Sequence, residues 1–179
     1  YNDGNGNTSG QFQNVIISDT IAPVANVTNL PTVTGQCSAT VTAPTATDNC
    51  MGTVTATTSD PLTYTAQGTY NIIWEYIDSR GNQAFQSQTV VVNDTTAPVP
   101  NVTNLPTITG QCSATVTAPT ATDNCSGTIT ATTVNPTTYN TQGTFTVVWK
   151  YTDAKGNFVN QNQTVIVNDT TAPVPNVTN

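Results

Sequence analysis

The sequence has few charged residues and no histidine. Only 7% of its 179 residues are charged, and its net charge is −7. The three basic residues, Arg80, Lys150 and Lys155, are too few to follow a phosphate backbone or to hold an anionic membrane surface. We therefore expect neither nucleic acid nor a lipid surface as a partner of this segment.

Long apolar runs are missing as well. The hydrophobic stretches are short and alternate with threonine, so no segment predicts a membrane-spanning helix. No stretch has the periodicity of an amphipathic helix either. These two absences leave a β-structured chain as the expectation.

The chain repeats itself with a period of 75 residues. Aligned without gaps, residues 19–93 and 94–168 are identical at 52 of 75 positions. This self-similarity predicts two immunoglobulin-like repeats, with the C-terminal hairpin of an earlier repeat at 1–18 and the linker and first strand of a later one at 169–179. We expect the chain to be a window from a longer array.

The pattern within each repeat predicts an all-β fold. In residues 143–151, large apolar side chains alternate with mainly polar ones, as expected for a half-buried strand. A short turn at 153–157 leads into another such strand, and proline and glycine fall between the elements. We predict tandem immunoglobulin-like β-sandwich repeats of about seven strands each, arranged head to tail as a rod, with tryptophan and tyrosine in the core.

Each repeat contains two cysteines, which are Cys37 and Cys50 in the first and Cys112 and Cys125 in the second. Without histidine or a CxxC motif they indicate structural disulfides, and hence an oxidising, extracytoplasmic setting. We favour a bond within each repeat. The alternative joins Cys125 to Cys37 of the preceding repeat, which requires Asp123 to lie at the end of the domain where the linker enters.

Eight of the ten acidic residues recur at three positions of the repeat: the linker, the segment before the second cysteine and the hairpin loop. In an odd-stranded sandwich, the linker and the hairpin loop lie at the same end, next to the preceding repeat. We therefore expect the carboxylates to gather at the junctions between repeats.

Two explanations of these acids stay open. Ca²⁺ binds about six to eight oxygens from carboxylates, amides, carbonyls and water, and the candidate ligands are Asp19, Asp48, Asn49, Asp78, Asn82, Asp94, Asp123, Asn124, Asp153, Asn157 and Asp169. Alternatively, these residues serve only as turn formers whose side chains bond the local backbone. Arg80 and Lys155 are then the candidate charge partners.

Three segments carry a resemblance to a known family: GQCSATVTAPTATDNC, GTYNIIWEYIDSRGN and DTTAPV. They resemble the hyalin-repeat, immunoglobulin-like modules of giant cell-surface adhesins of gliding Bacteroidota (the SprB type), which the type IX secretion system exports. The resemblance implies an extracellular filament at a bacterial cell surface. Many hyalin repeats carry a further cysteine pair, which this sequence lacks.

A second resemblance concerns modification. The triplets DTI and DTT in the linkers are similar to the O-glycosylation sequon of Bacteroidota, which implies glycan acceptors at Thr20, Thr95 and Thr170.

The repetition also bears on function. The same carboxylates recur in each repeat, and a duplicated joint is a simpler explanation than a duplicated active site, so we expect no enzyme. We expect stalk repeats that contact neighbouring repeats and project an adhesive or motility tip, with surface polysaccharide bound through other regions. The alternative is a multivalent carbohydrate-binding or surface-binding module, for which Tyr64 and Tyr139 are the candidate exposed aromatics.

Overall fold

The computed structural model of the chain describes residues 1–176. Within this range the structure contains sixteen β-strands and no helix, and so no helix that is long and apolar enough to cross a membrane. The strands of the first repeat are β1 (Val24–Ala25), β2 (Val33–Gly35), β3 (Ala39–Thr40), β4 (Thr45–Asp48), β5 (Gly52–Thr55), β6 (Thr63–Tyr64), β7 (Gly68–Ile77) and β8 (Gln83–Val92). Those of the second are β9 (Val99–Pro100), β10 (Ile108–Gly110), β11 (Ala114–Thr115), β12 (Thr120–Asp123), β13 (Gly127–Thr130), β14 (Thr138–Tyr139), β15 (Gly143–Thr152) and β16 (Phe158–Val167).

Both repeats use the same strand order, and the predicted all-β fold is confirmed. In the second repeat the sheets are β9-β12-β13, β10-β16-β15 and β11-β14; the first has β1-β4-β5, β2-β8-β7 and β3-β6. The predicted hairpin is the long antiparallel pair of β15 and β16, and β10 adds to it in parallel. Each repeat has eight strands rather than about seven; two of them have ten residues and the other six have two to four.

The chain divides into two compact units whose bounds differ from those of the repeats. The first unit contains Tyr1–Thr32, Val41–Leu62 and Asn71–Thr89. The second contains Val33–Thr40, Thr63–Tyr70 and Val90–Asn179. One end of the first repeat therefore belongs to the same compact unit as the whole second repeat, which brings the junction between them inside a single unit.

The alternating side chains of β15 and β16 form the largest part of the core of the second unit. Val147, Trp149 and Tyr151 are at most 1% exposed, as the alternation predicted. They pack with Val165 and Val167 of the facing strand. Trp74 and Tyr76 occupy the equivalent buried positions in the first repeat.

Two glutamines connect this core to the chain that follows the linker. Trp149 Nε1 donates to Oε1 of buried Gln163 at 2.9 Å, and Gln163 Nε2 donates to the carbonyl of Pro106 at 3.1 Å. Likewise, Tyr151 donates to Gln161 at 2.6 Å, and Gln161 Nε2 donates to the carbonyl of Val102 at 2.7 Å. The polar groups of the buried aromatics are thus satisfied, and the segment after the linker is held against the sandwich.

Candidate functional site at the junction

The hairpin loop of the second repeat is organised around one carboxylate. Asp153 Oδ1 accepts hydrogen bonds from the backbone amides of Lys155, Gly156 and Asn157 at 2.6–2.8 Å. Asn157 Nδ2 donates to Asp153 Oδ2 at 2.8 Å. Burial alone would raise the pKa of Asp153, but these hydrogen bonds together hold it below its ordinary value. The carboxylate therefore stays charged inside the loop.

The turn between β12 and β13 holds a second carboxylate. Asp123 Oδ1 accepts from the amides of Cys125 and Ser126 at 2.9 and 2.7 Å. Its other oxygen, Oδ2, is buried and has no hydrogen-bond partner in the part of the chain that the structure describes. One carboxylate oxygen of Asp123 thus stabilises the turn through hydrogen bonds, and the other takes no part in the turn.

The third carboxylate comes from the linker. Asp94 Oδ1 accepts from the amide of Thr96 at 3.1 Å. The amide of Asp94 donates to Gln67 Oε1 at 2.7 Å, and its carbonyl accepts from Asn157 Nδ2 at 3.2 Å. The linker is thereby fixed between a loop of the first repeat and the hairpin loop of the second.

These three acids form one compact cluster. Asp94, Asp123 and Asp153 are 3%, 5% and 7% exposed, and each offers an oxygen within 4.8 Å of the other two. At the 4.8 Å limit each pair of charges repels by about 3.5 kcal/mol at an effective dielectric constant of about 20, and closer pairs repel more. The suggested charge partners do not offset this, because Arg80 and Lys155 are exposed and form no ion pair within residues 1–176.

A disulfide bond lies beside the cluster and joins the two repeats. Cys37 is bonded to Cys125, with their Cα atoms 5.0 Å apart and 88 positions between them in sequence. The favoured pairing within each repeat is therefore wrong, and the alternative pairing is correct. Strands β11 and β12 run between Cys112 and Cys125 and carry them apart, whereas Asp123 and Cys125 lie at the end where the linker enters.

The second repeat also matches a known family. Residues 92–167 match the model of the HYR-like domain with four cysteines. This HYR-like segment contains only two cysteines, Cys112 and Cys125. No curated protein matches the chain.

Several solved structures are similar to the chain at low identity. Human protocadherin-24 EC1-2 is 15% identical over 85% of this chain and 100% of its own, with a TM-score of 0.36. A Ca²⁺-stabilised adhesin with which an Antarctic bacterium binds ice is 19% identical over 84% of this chain and 50% of its own, with a TM-score of 0.27. SGBP-B of a Bacteroides ovatus mixed-linkage glucan utilisation locus, in complex with a mixed-linkage heptasaccharide, is 19% identical over 60% of this chain and 33% of its own, with a TM-score of 0.18.

The first unit contains a second cluster built in the same way. Asp19, Asp48 and Asp78 each offer an oxygen within 4.8 Å of the others. Asp48 Oδ2 is again buried, and no described residue hydrogen-bonds to it. Burial opposes the shift, but hydrogen bonds from Asn82 and from loop amides lower the pKa of Asp78. A hydrogen bond to Asp19, burial and the charge of the cluster raise the pKa of the nearby Cys50 thiol.

The remaining predicted site residues occupy other positions. The four asparagines offer amide nitrogens: Asn82 and Asn157 donate to the loop carboxylates, while Asn49 and Asn124 donate toward cysteine sulfurs. Asp169 belongs to neither cluster. Cys50 and Cys112 are exposed, unbonded thiols, so the expectation that all four cysteines are paired is not confirmed. The candidate glycan acceptors Thr20, Thr95 and Thr170 are exposed, and of the segment 169–179, residues 177–179 lie outside the described range.

Sequence reasoning missed the glutamines of the junction. Gln67 Nε2 donates to the carbonyl of Gln36 at 2.7 Å, and Gln36 Oε1 accepts from the Thr96 hydroxyl and from Asn124 Nδ2. The amide of Ala154 further donates to Ser126 Oγ at 3.2 Å. The available signal was repetition, since Gln111 and Gln142 stand 75 positions after this pair of glutamines.

Proposed function

We propose that this chain is a segment of an extracellular adhesin stalk at a bacterial surface, in which each repeat is fixed to the next at a built joint. The observation that supports this proposal most is the Cys37–Cys125 bond between consecutive repeats. A disulfide within a domain would stabilise only that domain. A bond between domains limits both their separation and their relative rotation, which is useful in a chain that bears tension.

The same chain carries the two halves of further joints. At the far end of the second repeat, Gln142 Nε2 donates to the carbonyl of Gln111 at 2.8 Å, and the amide of Asp169 donates to Gln142 Oε1 at 2.7 Å. This repeats the arrangement of Gln36, Gln67 and Asp94. Cys112 is exposed beside it, in the position that Cys37 holds in the bonded junction. In a longer array we expect Cys112 to bond the next repeat and Cys50 the preceding one.

Such bonds would overlap along the chain. The junction bond reaches from Cys37 to Cys125, and the next would start at Cys112, thirteen positions before Cys125. The shortest covalent path through each repeat then contains only thirteen residues, about 45 Å when extended. An array of this kind resists lengthening even if a repeat unfolds, a property that suits a gliding-motility adhesin of the SprB type exported by type IX secretion.

The stalk proposal predicts an elongated particle, which X-ray scattering can test. A compact globule of 179 residues has a radius of gyration of about 16 Å. Two sandwiches end to end, each about 38 Å long, give about 22 Å. A value near 22 Å for the oxidised chain supports a stalk, and a value near 16 Å contradicts it.

Multivalent carbohydrate binding is the alternative, and one surface feature favours it. Tyr139 stacks on Phe145 with ring centroids 4.5 Å apart, and both line an open depression with Asn135 and Asn140. However, Tyr139 is only 8% exposed, so the expected exposed aromatic is not available there. Saturable binding of surface polysaccharide that Phe145→Ala abolishes would favour this function; equal retention of wild type and variant would exclude it.

A further inference from the structure

The sequence left calcium binding and turn chemistry as equal explanations of the junction acids, and the structure separates them at one atom. Turn chemistry accounts for Asp123 Oδ1, which accepts two backbone amides. It does not account for Asp123 Oδ2, which is buried without a hydrogen-bond partner among residues 1–176. A buried carboxylate oxygen without a donor is costly, so a positive group at this position is expected.

The same atom is left over in the other cluster. Asp48 Oδ1 accepts from the amides of Cys50 and Met51 at 3.0 and 2.7 Å, while Oδ2 is buried and accepts from no residue that the structure describes. The two copies of the site lie in different units of the chain and share the sequence TATDNC, and both leave the same oxygen unsatisfied. The unsatisfied oxygen is therefore a feature of the repeat.

We propose that Asp94, Asp123 and Asp153 bind one Ca²⁺ at the junction, and that Asp19, Asp48 and Asp78 bind a second. This proposal adds a metal to the stalk function and rests on the same joint. The donors are carboxylate oxygens, which hard cations prefer. The sequence has no histidine, and neither cluster includes a cysteine sulfur. Oxygens at about 2.4 Å from one Ca²⁺ lie up to about 4.8 Å apart, and the carboxylate oxygens that each cluster offers all lie within that limit.

The surroundings can supply the remaining ligands. A cavity of about 180 Å³ lies beside Asp94 and is lined also by Cys37, Cys125 and Lys155. It has room for the water molecules that would complete the coordination of the ion. The cluster combines Asp94 of the linker with Asp123 and Asp153 from two loops of the second repeat. A bound ion would therefore fix the linker to the second repeat close to Cys125, where the disulfide from Cys37 is attached.

The test uses the 179-residue chain, freed of divalent ions, with CaCl₂ alone as the probe. Calorimetric titration should give two sites per chain. Asp123→Asn and Asp48→Asn should each remove one site, and the double variant both. Asp60→Asn is the matched control, because it removes a charge outside the clusters and the second repeat already has Asn135 at that position. Asp94→Asn provides a second junction variant if Asp123→Asn fails to fold.

Thermal unfolding gives a readout that a purely structural aspartate would not produce. Without Ca²⁺, Asp123→Asn should unfold at or above the wild-type temperature, because it removes repulsion. With Ca²⁺ the order should reverse, since only the wild type binds at the junction. Absence of binding to the wild type, unchanged binding to both variants, or an equal response to Mg²⁺ would overturn the calcium assignment. Scattering by the same samples decides separately whether the stalk proposal stands.

Discussion

Opening the junction disulfide should release a defined length of chain under force. The bond spans 88 positions, and at about 3.5 Å per extended residue this segment holds about 310 Å. When the chain is pulled from its two ends, the intact bond keeps that length out of the extension. The perturbation is the double variant Cys37→Ser/Cys125→Ser, or reduction of the wild type, and the assay is single-molecule force spectroscopy.

The variant should reach a final contour length about 310 Å greater than that of the oxidised wild type. Cys50→Ser/Cys112→Ser is the control, and it should behave like the wild type because it leaves the junction bond intact. Bonds within each repeat would shield only thirteen positions each, about 45 Å per repeat. The reasoning would be refuted if reduction lengthened the wild type by only about 45 Å per repeat and did not lengthen the control variant.

Three further predictions concern the fold. Gln163→Leu should lower the free energy of unfolding in denaturant by about 1–3 kcal/mol, because Trp149 Nε1 loses its buried acceptor; an unchanged midpoint would show that the bond contributes nothing. Burial raises the pKa of Tyr151 above its ordinary 10.0. The stability that the neutral phenol contributes is therefore complete below pH 10.0 and is lost as the pH rises through the folded-state pKa. With free thiols blocked, Tyr151→Phe should flatten the alkaline fall in the free energy of unfolding, and an equally steep fall would contradict this. Gly110→Ala should destabilise the second repeat by about 1–3 kcal/mol or more, because a Cβ there would lie 1.8 Å from the Ser113 carbonyl oxygen. If the variant melts at the wild-type temperature, the turn can shift to make room for the methyl group.

The strands with clear alternation could be predicted from sequence. β15 buries Val147, Trp149 and Tyr151 as the period of two requires, because one face of a strand must meet the core. The shorter elements could not be placed as well. Strand β11 has only two residues, and so short a segment carries no period of its own.

The location of the acids was predictable, but the partner of each cysteine was not. Chain direction places the linker and the hairpin loop at one end of the domain, and Asp94 and Asp153 do meet there. The closeness of Cys112 and Cys125 in sequence suggested a bond, yet extended chain between them carries them apart. Whether Asp123 lies at the linker end depends on how the turn after β12 packs, which local sequence does not determine.

The glutamines show a further limit of pattern reasoning. Gln36 and Gln67 are exposed polar residues that belong to no alternating apolar pattern, so sequence periodicity does not single them out. Their role depends on partners far away in sequence: Asp94 is 27 positions from Gln67, and Asn124 is 88 from Gln36. Only the three-dimensional arrangement brings these groups together.

Tryptic digestion without reduction is the most direct test of the covalent junction. The chain has three basic residues, and cleavage after Arg80 separates the half that contains Cys37 and Cys50 from the half that contains Cys112 and Cys125. If Cys37 is bonded to Cys125, the two large fragments stay together until a reductant is added, and mass spectrometry finds Cys50 and Cys112 as free thiols. If the fragments separate without reductant, no disulfide joins the two repeats and the account of a covalently joined stalk is wrong.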